Sequence, residues 1–222
     1  MPHLIWKRDR GYYAVWMSVP GREHFMEYSA SGVKYLLWFV ETRETARLLK
    51  DHSEEEVREM VLNENVYQQK DRRRVISEYG CITRRLQAIP KGLGRMLLHT
   101  DVATAKLIVL VSAMASDRLL FELMYEVYRT KIHLGEEEWI DADLNIFFGR
   151  KADQSELIAG WTEATIKKLK QVYTRCLLEA GMLKKESAKT KKITKPYIDP
   201  EFRQILLDES MDDYLYALTG EK

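Results

Sequence analysis

The sequence predicts a mainly α-helical protein: two helical subdomains with helix-turn-helix and winged-helix-like character, and a small C-terminal β-hairpin. Three observations carry the prediction. Val75, Tyr79, Ile82, Leu86 and Ile89 fall at i, i+4, i+7, i+11 and i+14, the spacing of one buried helix face. Helix-start residues precede the apolar runs, as in Ser53-Glu54-Glu55-Glu56, where the serine hydroxyl takes a first-turn N–H and Glu56 reaches back. After a long helical pattern at residues 162–180, two strand-like stretches, 182–185 and 192–197, flank a polar, lysine-rich tip at 186–191.

In chain order, residues 1–27 are an N-terminal extension. Residues 11–19 are aromatic and β-branched, end at the turn pair Pro20-Gly21, and read as a strand or hairpin; Met26 is an alternative start. An N-terminal helical domain is expected over 28–134. Its first helix runs from Val33 to about Lys50, with Leu36, Leu37, Val40, Leu48 and Leu49 on one side. The capping box opens a second helix through Val57, Met60 and Val61, closed by Asn63-Glu64-Asn65. A basic helix over 70–89 follows, stopped by Pro90, Gly92 and Gly94. Thr100-Asp101 caps a helix with Leu107, Val111 and Met114 inward, and a further helix spans 117–132; apolar residues surround this pair, which is expected at the centre of the core.

A C-terminal winged-helix-like domain is expected over 135–222. Gly135 and Glu136-Glu137-Glu138 read as a hinge, followed by helices near 141–148, 155–159 and 162–180, with Gly181 as the residue that ends the last one. The hairpin comes next, then a helix opened by Pro200 and an acidic amphipathic tail at 212–218.

Composition narrows the function classes. A chain of 222 residues with 45% hydrophobic and 31% charged residues can bury a real core. Cys81 and Cys176 lie far apart within helical patterns, which fits buried thiols in a reducing cytoplasm. No uninterrupted apolar run, Leu107 to Val111 included, approaches the roughly 20 residues that span a bilayer. Charged residues from Lys7 to Arg10 interrupt the N-terminus before any signal-like apolar region, so a soluble cytoplasmic protein is expected.

Charge is unevenly distributed. The net charge is only +1, yet residues 167–195 carry ten Lys and Arg against two acids, and residues 70–95 carry eight against two. Such concentrations attract polyanions even in a near-neutral chain. On the 162–180 helix, Ile166, Leu169, Val172, Tyr173, Cys176 and Leu177 form the buried stripe, while Lys168, Gln171 and Arg175 fall opposite, with Lys167 and Lys170 at the margins. A long helix followed by a basic hairpin matches a winged helix-turn-helix, with the helix in a major groove and Lys189, Lys191 and Lys192 on a wing against phosphates; the alternative is a solvated helix face followed by a disordered lysine loop. Lysines suit phosphate, and only Gln171 and Arg175 are equipped to read base edges, so low sequence specificity and steep salt dependence are expected.

The 70–89 helix offers a second surface of Arg73, Arg74 and Arg84, with Ser77 and Gly80 between. A mid-helix glycine costs about 1 kcal/mol relative to alanine. Gly80 either lets a phosphodiester approach the backbone or accommodates a crossing helix. Arg72-Arg73-Arg74 at a helix start opposes the macrodipole, which calls for an anionic partner or for acids such as Glu54, Glu55 and Glu56 nearby.

Catalytic and metal readings find little support. The five histidines are scattered, and Gly135 interrupts the helix that would align His133 with Glu137. Neither cysteine has a neighbouring histidine or a CxxC partner. Gly92-Leu93-Gly94 lacks a phosphate-loop continuation, and Asp141 and Asp143 point to different sides of their helix. No enzyme activity, cofactor or metal is expected.

Tyr28-Ser29-Ala30, the Asn63-Glu64-Asn65 turn with Gln68, residues 117–129, Phe147-Phe148 with Lys151-Ala152, residues 165–173 and Ala180-Gly181-Met182-Leu183 together resemble the BrxA family, small proteins encoded in bacterial BREX phage-defence systems. The resemblance covers residue 28 to the C-terminus in one order; the first 25 residues find no counterpart in it. It implies an α-helical, DNA-binding protein without known enzymatic activity, acting beside a methyltransferase, an ATPase and a phosphatase-like component. The family is also similar to the RNA-binding antitermination factor NusB. The leading expectation is therefore a non-catalytic double-stranded DNA-binding component of a BREX system. An RNA-binding factor of the NusB type, or an adaptor that docks other BREX components through its basic faces, are the alternatives.

Overall fold

The computed structural model describes residues 27–187 and 190–221. The strand or hairpin expected at 11–19 lies outside the described residues. The described chain is mainly helical with a three-stranded antiparallel sheet.

Ser29 caps a 3₁₀ turn at Ala30–Lys34. The single helix expected from Val33 to Lys50 is instead this turn, an extended connection and helix α1, Phe39–Asp51. The break falls at Trp38, which takes the left-handed conformation at φ 53°. It lets Leu37 enter the core fully buried and turns Val40, expected on the buried side, 70% toward solvent. Helix α2, Glu54–Asn63, begins at the capping box: the Glu56 N–H donates to Ser53 Oγ at 3.2 Å and the Ser53 N–H to Glu56 Oε2 at 2.8 Å.

Helix α3, Arg72–Gln87, is capped by Asp71. Val75, Tyr79 and Ile82 are buried along its stripe as their spacing requires. The basic helix ends at Gln87, ahead of Pro90 as expected, but Gly92 and Gly94 lie inside a further helix. Pro90 is the N-cap of helix α4, Lys91–His99, whose Leu93, Met96 and Leu97 are buried. A proline at a helix entrance forfeits no intrahelical bond, and a Cβ on Gly92 would meet Ile205 only at ordinary van der Waals distance, 3.4 Å.

Helix α5, Val102–Ser116, is capped by Asp101 and buried along nearly its whole length. Asp117 caps α6, Arg118–Leu123, which passes through a π-helical turn at Met124–Tyr128 into α7, Arg129–Leu134. These helices are the centre of the core, as expected. One hydrophobic cluster runs from Leu37 to Leu218, and a smaller one unites Trp38, Leu48, Val57, Tyr67, Val75 and Ile82 beneath α1 to α3.

The expected hinge at Gly135–138 is only partly that. Gly135 takes φ 73° and closes α7, but Glu138–Ile140 is strand β1. Helices α8, Asp141–Gln154, α9, Glu156–Ala159, and α10, Glu163–Glu179, follow. Gly181, at φ 80°, ends α10 with the paired bonds of a Schellman turn, Gly181 N–H to Leu178 O at 3.2 Å and Met182 N–H to Leu177 O at 2.9 Å. Strands β2, Leu183–Lys185, and β3, Thr190–Ile193, form the hairpin, so its second arm starts two residues earlier than expected. Strand β3 is central, paired antiparallel to β1 and β2.

Helix α11, Pro200–Asp208, is capped by Asp199, and α12, Asp212–Thr219, is no solvated tail. Its acids occupy the first turn while Tyr214, Leu215 and Leu218 are buried, and α12 packs on the π-helical turn. Among the described residues no helix is long and apolar enough to cross a membrane.

Candidate nucleic-acid interface

Helix α10 presents two chemically distinct sides. Leu169, Val172, Tyr173, Cys176 and Leu177 are buried, with Ile166 partly so, while Lys167, Lys168, Gln171 and Arg175 are exposed. The exposed side borders an open groove of about 890 Å³ between α10, the start of α8 and strand β3. Lys167, Lys168, Lys170, Gln171, Arg175 and Lys191 line it, together with Asp141, Asn145 and Glu163. Its apolar wall includes Leu36, Leu144, Ile166 and Leu178.

These cations are not equally available. Among the described residues, Lys167, Lys168 and Arg175 have neither a side-chain hydrogen bond nor an ion pair. Lys170 donates to Asn145 Oδ1 at 2.7 Å and lies 5.4 Å from the Phe148 ring centroid, and burial pulls its pKa down. Lys191, with its side chain 14% exposed, faces Asp141 Oδ1 at 3.8 Å. Lys192 pairs with Glu137 at 2.9 Å, which raises the lysine pKa and lowers that of the glutamate. The unpaired charge of the groove therefore comes from α10, while Lys191 and Lys192 of the hairpin are internally engaged. Lys189 lies outside the described residues.

The hairpin register adds cations that sequence reasoning did not single out. Lys184 lies opposite Lys192, and Lys185 opposite Lys191. Like charges directly across a strand pair repel. Glu138, opposite Lys192 on the other side of β3, offsets part of this. Tyr128 fixes the base of the hairpin by donating to Thr194 O at 2.7 Å.

On α3, Arg72 and Arg73 are exposed, and among the described residues neither is ion-paired. Glu54, Glu55 and Glu56 do not neutralise them. Glu54 sits toward the other half of the helix, where its backbone carbonyl accepts from the Tyr79 hydroxyl at 2.9 Å and its carboxylate from Gln87 at 3.0 Å. Arg74 lies 3.9 Å from the buried Glu78. Arg84 is half-buried, its guanidinium 5.5 Å from the Tyr35 ring centroid. The neighbouring Arg85 is buried and donates to Leu36 O at 2.8 Å and Leu37 O at 3.2 Å. A Cβ on Gly80 would meet nothing within 4 Å, so no crossing helix explains that glycine.

Several residues within the motifs that carry the resemblance are not at this surface. Tyr28 donates to Glu122 at 2.9 Å beneath the Arg118 guanidinium, and Lys151, 3% exposed, pairs with Glu122 at 2.7 Å and Glu126 at 2.5 Å. Burial raises the Glu126 pKa and the lysine opposes it. Tyr173 donates to Asp117 at 2.9 Å. These polar ties hold the N-terminal turn, α6, α8 and α10 together, and no spacing rule announces them. Among the described residues no group of three or more His, Cys, Asp and Glu is arranged to hold a metal.

Comparison with known proteins agrees with the architecture. The BREX protein BrxA of Bacillus cereus (strain H3081.97) is 38% identical over 186 residues, covering 83% of this chain and 92% of that protein. The crystal structure of an uncharacterized protein from Magnetospirillum magneticum superposes with a TM-score of 0.74 at 20% identity, over 87% of this chain and 99% of the other, which speaks to the fold alone. A sequence model of the BrxA family matches residues 26–210, and the chain belongs to that family.

Proposed function

We propose that this protein is a non-catalytic component of a BREX phage-defence system that binds double-stranded DNA, mainly through phosphate contacts. The observation that carries the reading is the exposed side of α10, where Lys167, Lys168 and Arg175 surround Gln171 without internal partners and border a groove flanked by the hairpin. In the winged-helix reading, α10 approaches the major groove and Lys184 and Lys185 lie along the backbone. Each phosphate neutralised contributes about −0.9 to the slope of log K against log[salt]. Five or six such contacts give a slope of roughly −5.

Electrophoretic mobility shift across a salt series tests the reading, with duplex binding expected at low salt and steep loss as salt rises. Absence of duplex binding at low salt rejects it. Equal-length structured RNA as competitor separates the DNA reading from an RNA-binding one, because RNA that displaces duplex at lower concentration reverses the assignment.

One observation favours a second reading. The apolar wall of Leu36, Leu144, Ile166 and Leu178 is more than a phosphate surface needs, and it suits an acidic amphipathic segment of another BREX component. Copurification that survives nuclease treatment, together with absent duplex binding, favours this adaptor role.

A further inference from the structure

Helices α3 and α10 begin about ninety residues apart in the chain, at Arg72 and Glu163, but in space the extended connection at Tyr35 and Leu36 touches both. Tyr35 lies beneath the Arg84 guanidinium, with 5.5 Å from its ring centroid to the arginine. The Tyr35 carbonyl accepts from Cys176 Sγ of α10 at 3.8 Å. The next residue, Leu36, is held by Arg85 through its carbonyl at 2.8 Å and its side chain forms part of the wall of the α10 groove beside Arg175 and Leu178. The end of the α3 surface thus abuts the Arg175 end of the α10 groove, with Tyr35 and Leu36 as the junction.

We infer that Arg73, Arg84, Arg175 and Lys168 lie along one continuous track that a single duplex occupies, rather than on two independent sites. The inference rests on the DNA reading above and extends it. Along α3, Arg73 to Arg84 spans about 16 Å, and along α10, Arg175 to Lys168 spans about 10 Å. With the junction the track is roughly 30 Å long, the length of about nine base pairs. Ser77 and Gly80 are the small residues of the α3 surface, and the open space over Gly80 lets a backbone approach there without steric obstruction.

The test uses the full chain, duplexes of about 6, 10 and 16 base pairs, and the exposed-site variants Arg73→Glu and Arg175→Glu, with Tm as the folding control. One track predicts a steep rise in affinity up to about ten base pairs, one short duplex bound per chain, and a loss of roughly tenfold or more for each variant. Two short duplexes per chain, or an Arg73→Glu variant that binds like wild type while Arg175→Glu is impaired, overturns the single track and leaves the DNA reading intact. A wild-type protein that binds no duplex of any length overturns both.

Discussion

The Tyr173 hydroxyl donates to the Asp117 carboxylate at 2.9 Å, tying the helix that carries the groove to the cap of a central core helix. Asp117 also accepts from the Leu120 N–H at 3.2 Å, and burial holds its pKa above the usual carboxylate range. Gly32 leaves room for this pair, since a Cβ there would sit 2.9 Å from Asp117 Oδ2. Tyr173→Phe removes a donor from a buried acceptor and should destabilise the fold by about 1–3 kcal/mol. Urea denaturation checks the magnitude. Duplex affinity, measured well below the lowered midpoint, should stay within a few-fold of wild type, because Tyr173 is buried on the opposite side of α10 from the exposed cations.

Gly80 gives a prediction of opposite sign. It sits mid-helix in α3 with nothing within 4 Å of an added Cβ. Gly80→Ala should therefore stabilise the free protein by roughly 0.5–1 kcal/mol through helix propensity alone. If a phosphodiester packs against the backbone there, the added methyl weakens duplex binding while stability rises. Paired denaturation and binding curves separate the two effects, and a variant less stable than wild type would show that Gly80 has a conformational role in the free fold.

The same helix shows what the sequence can and cannot convey. Its stripe of Val75, Tyr79 and Ile82, and the sidedness of α10, follow from local periodicity, because each helix buries one face whatever it packs against. Helix α4 was hidden by Pro90, Gly92 and Gly94, residues that break helices in general, although Pro90 here provides the entrance and burial of Leu93, Met96 and Leu97 holds the helix. Strand β1 is three residues long and exists only by pairing with Lys192, Lys191 and Thr190 some fifty residues later, so no local pattern reveals it. The candidate site was legible as charge on one helix face. The engagement of Lys170, Lys191 and Lys192 by Asn145, Asp141 and Glu137 was not, because those partners are brought together by tertiary structure.

Cross-strand repulsion makes the hairpin a place where stability and binding oppose one another. Lys184 faces Lys192 across the β2–β3 pair. Lys184→Glu replaces a like-charge pair with an opposite one, so the free protein should gain a little in Tm. The same change removes a cation from the proposed wing and should weaken duplex binding by roughly tenfold at low salt. It should also make the salt slope shallower by about one unit. A variant with unchanged affinity and slope would remove the hairpin from the DNA surface.

Glu78 predicts a pH dependence of stability. Its side chain is fully buried in α3, and both carboxyl oxygens lack a hydrogen-bond partner among the described residues. Burial pushes its pKa from 4.5 up to about 7; the Glu41 carboxylate adds to the rise, and Arg74, 3.9 Å away, opposes it. Between those two values the folded state holds a proton that the unfolded state has released, so stability falls as pH rises from about 4.5 to about 7 and then levels off. Glu78→Gln removes this term. Urea midpoints at pH 5 should differ little between wild type and variant, whereas at pH 8 the variant should be more stable by roughly 1–3 kcal/mol. A glutamine variant less stable than wild type at pH 8 would mean that ionised Glu78 draws net stabilisation from Arg74, and the basic start of α3 would then be partly neutralised from within.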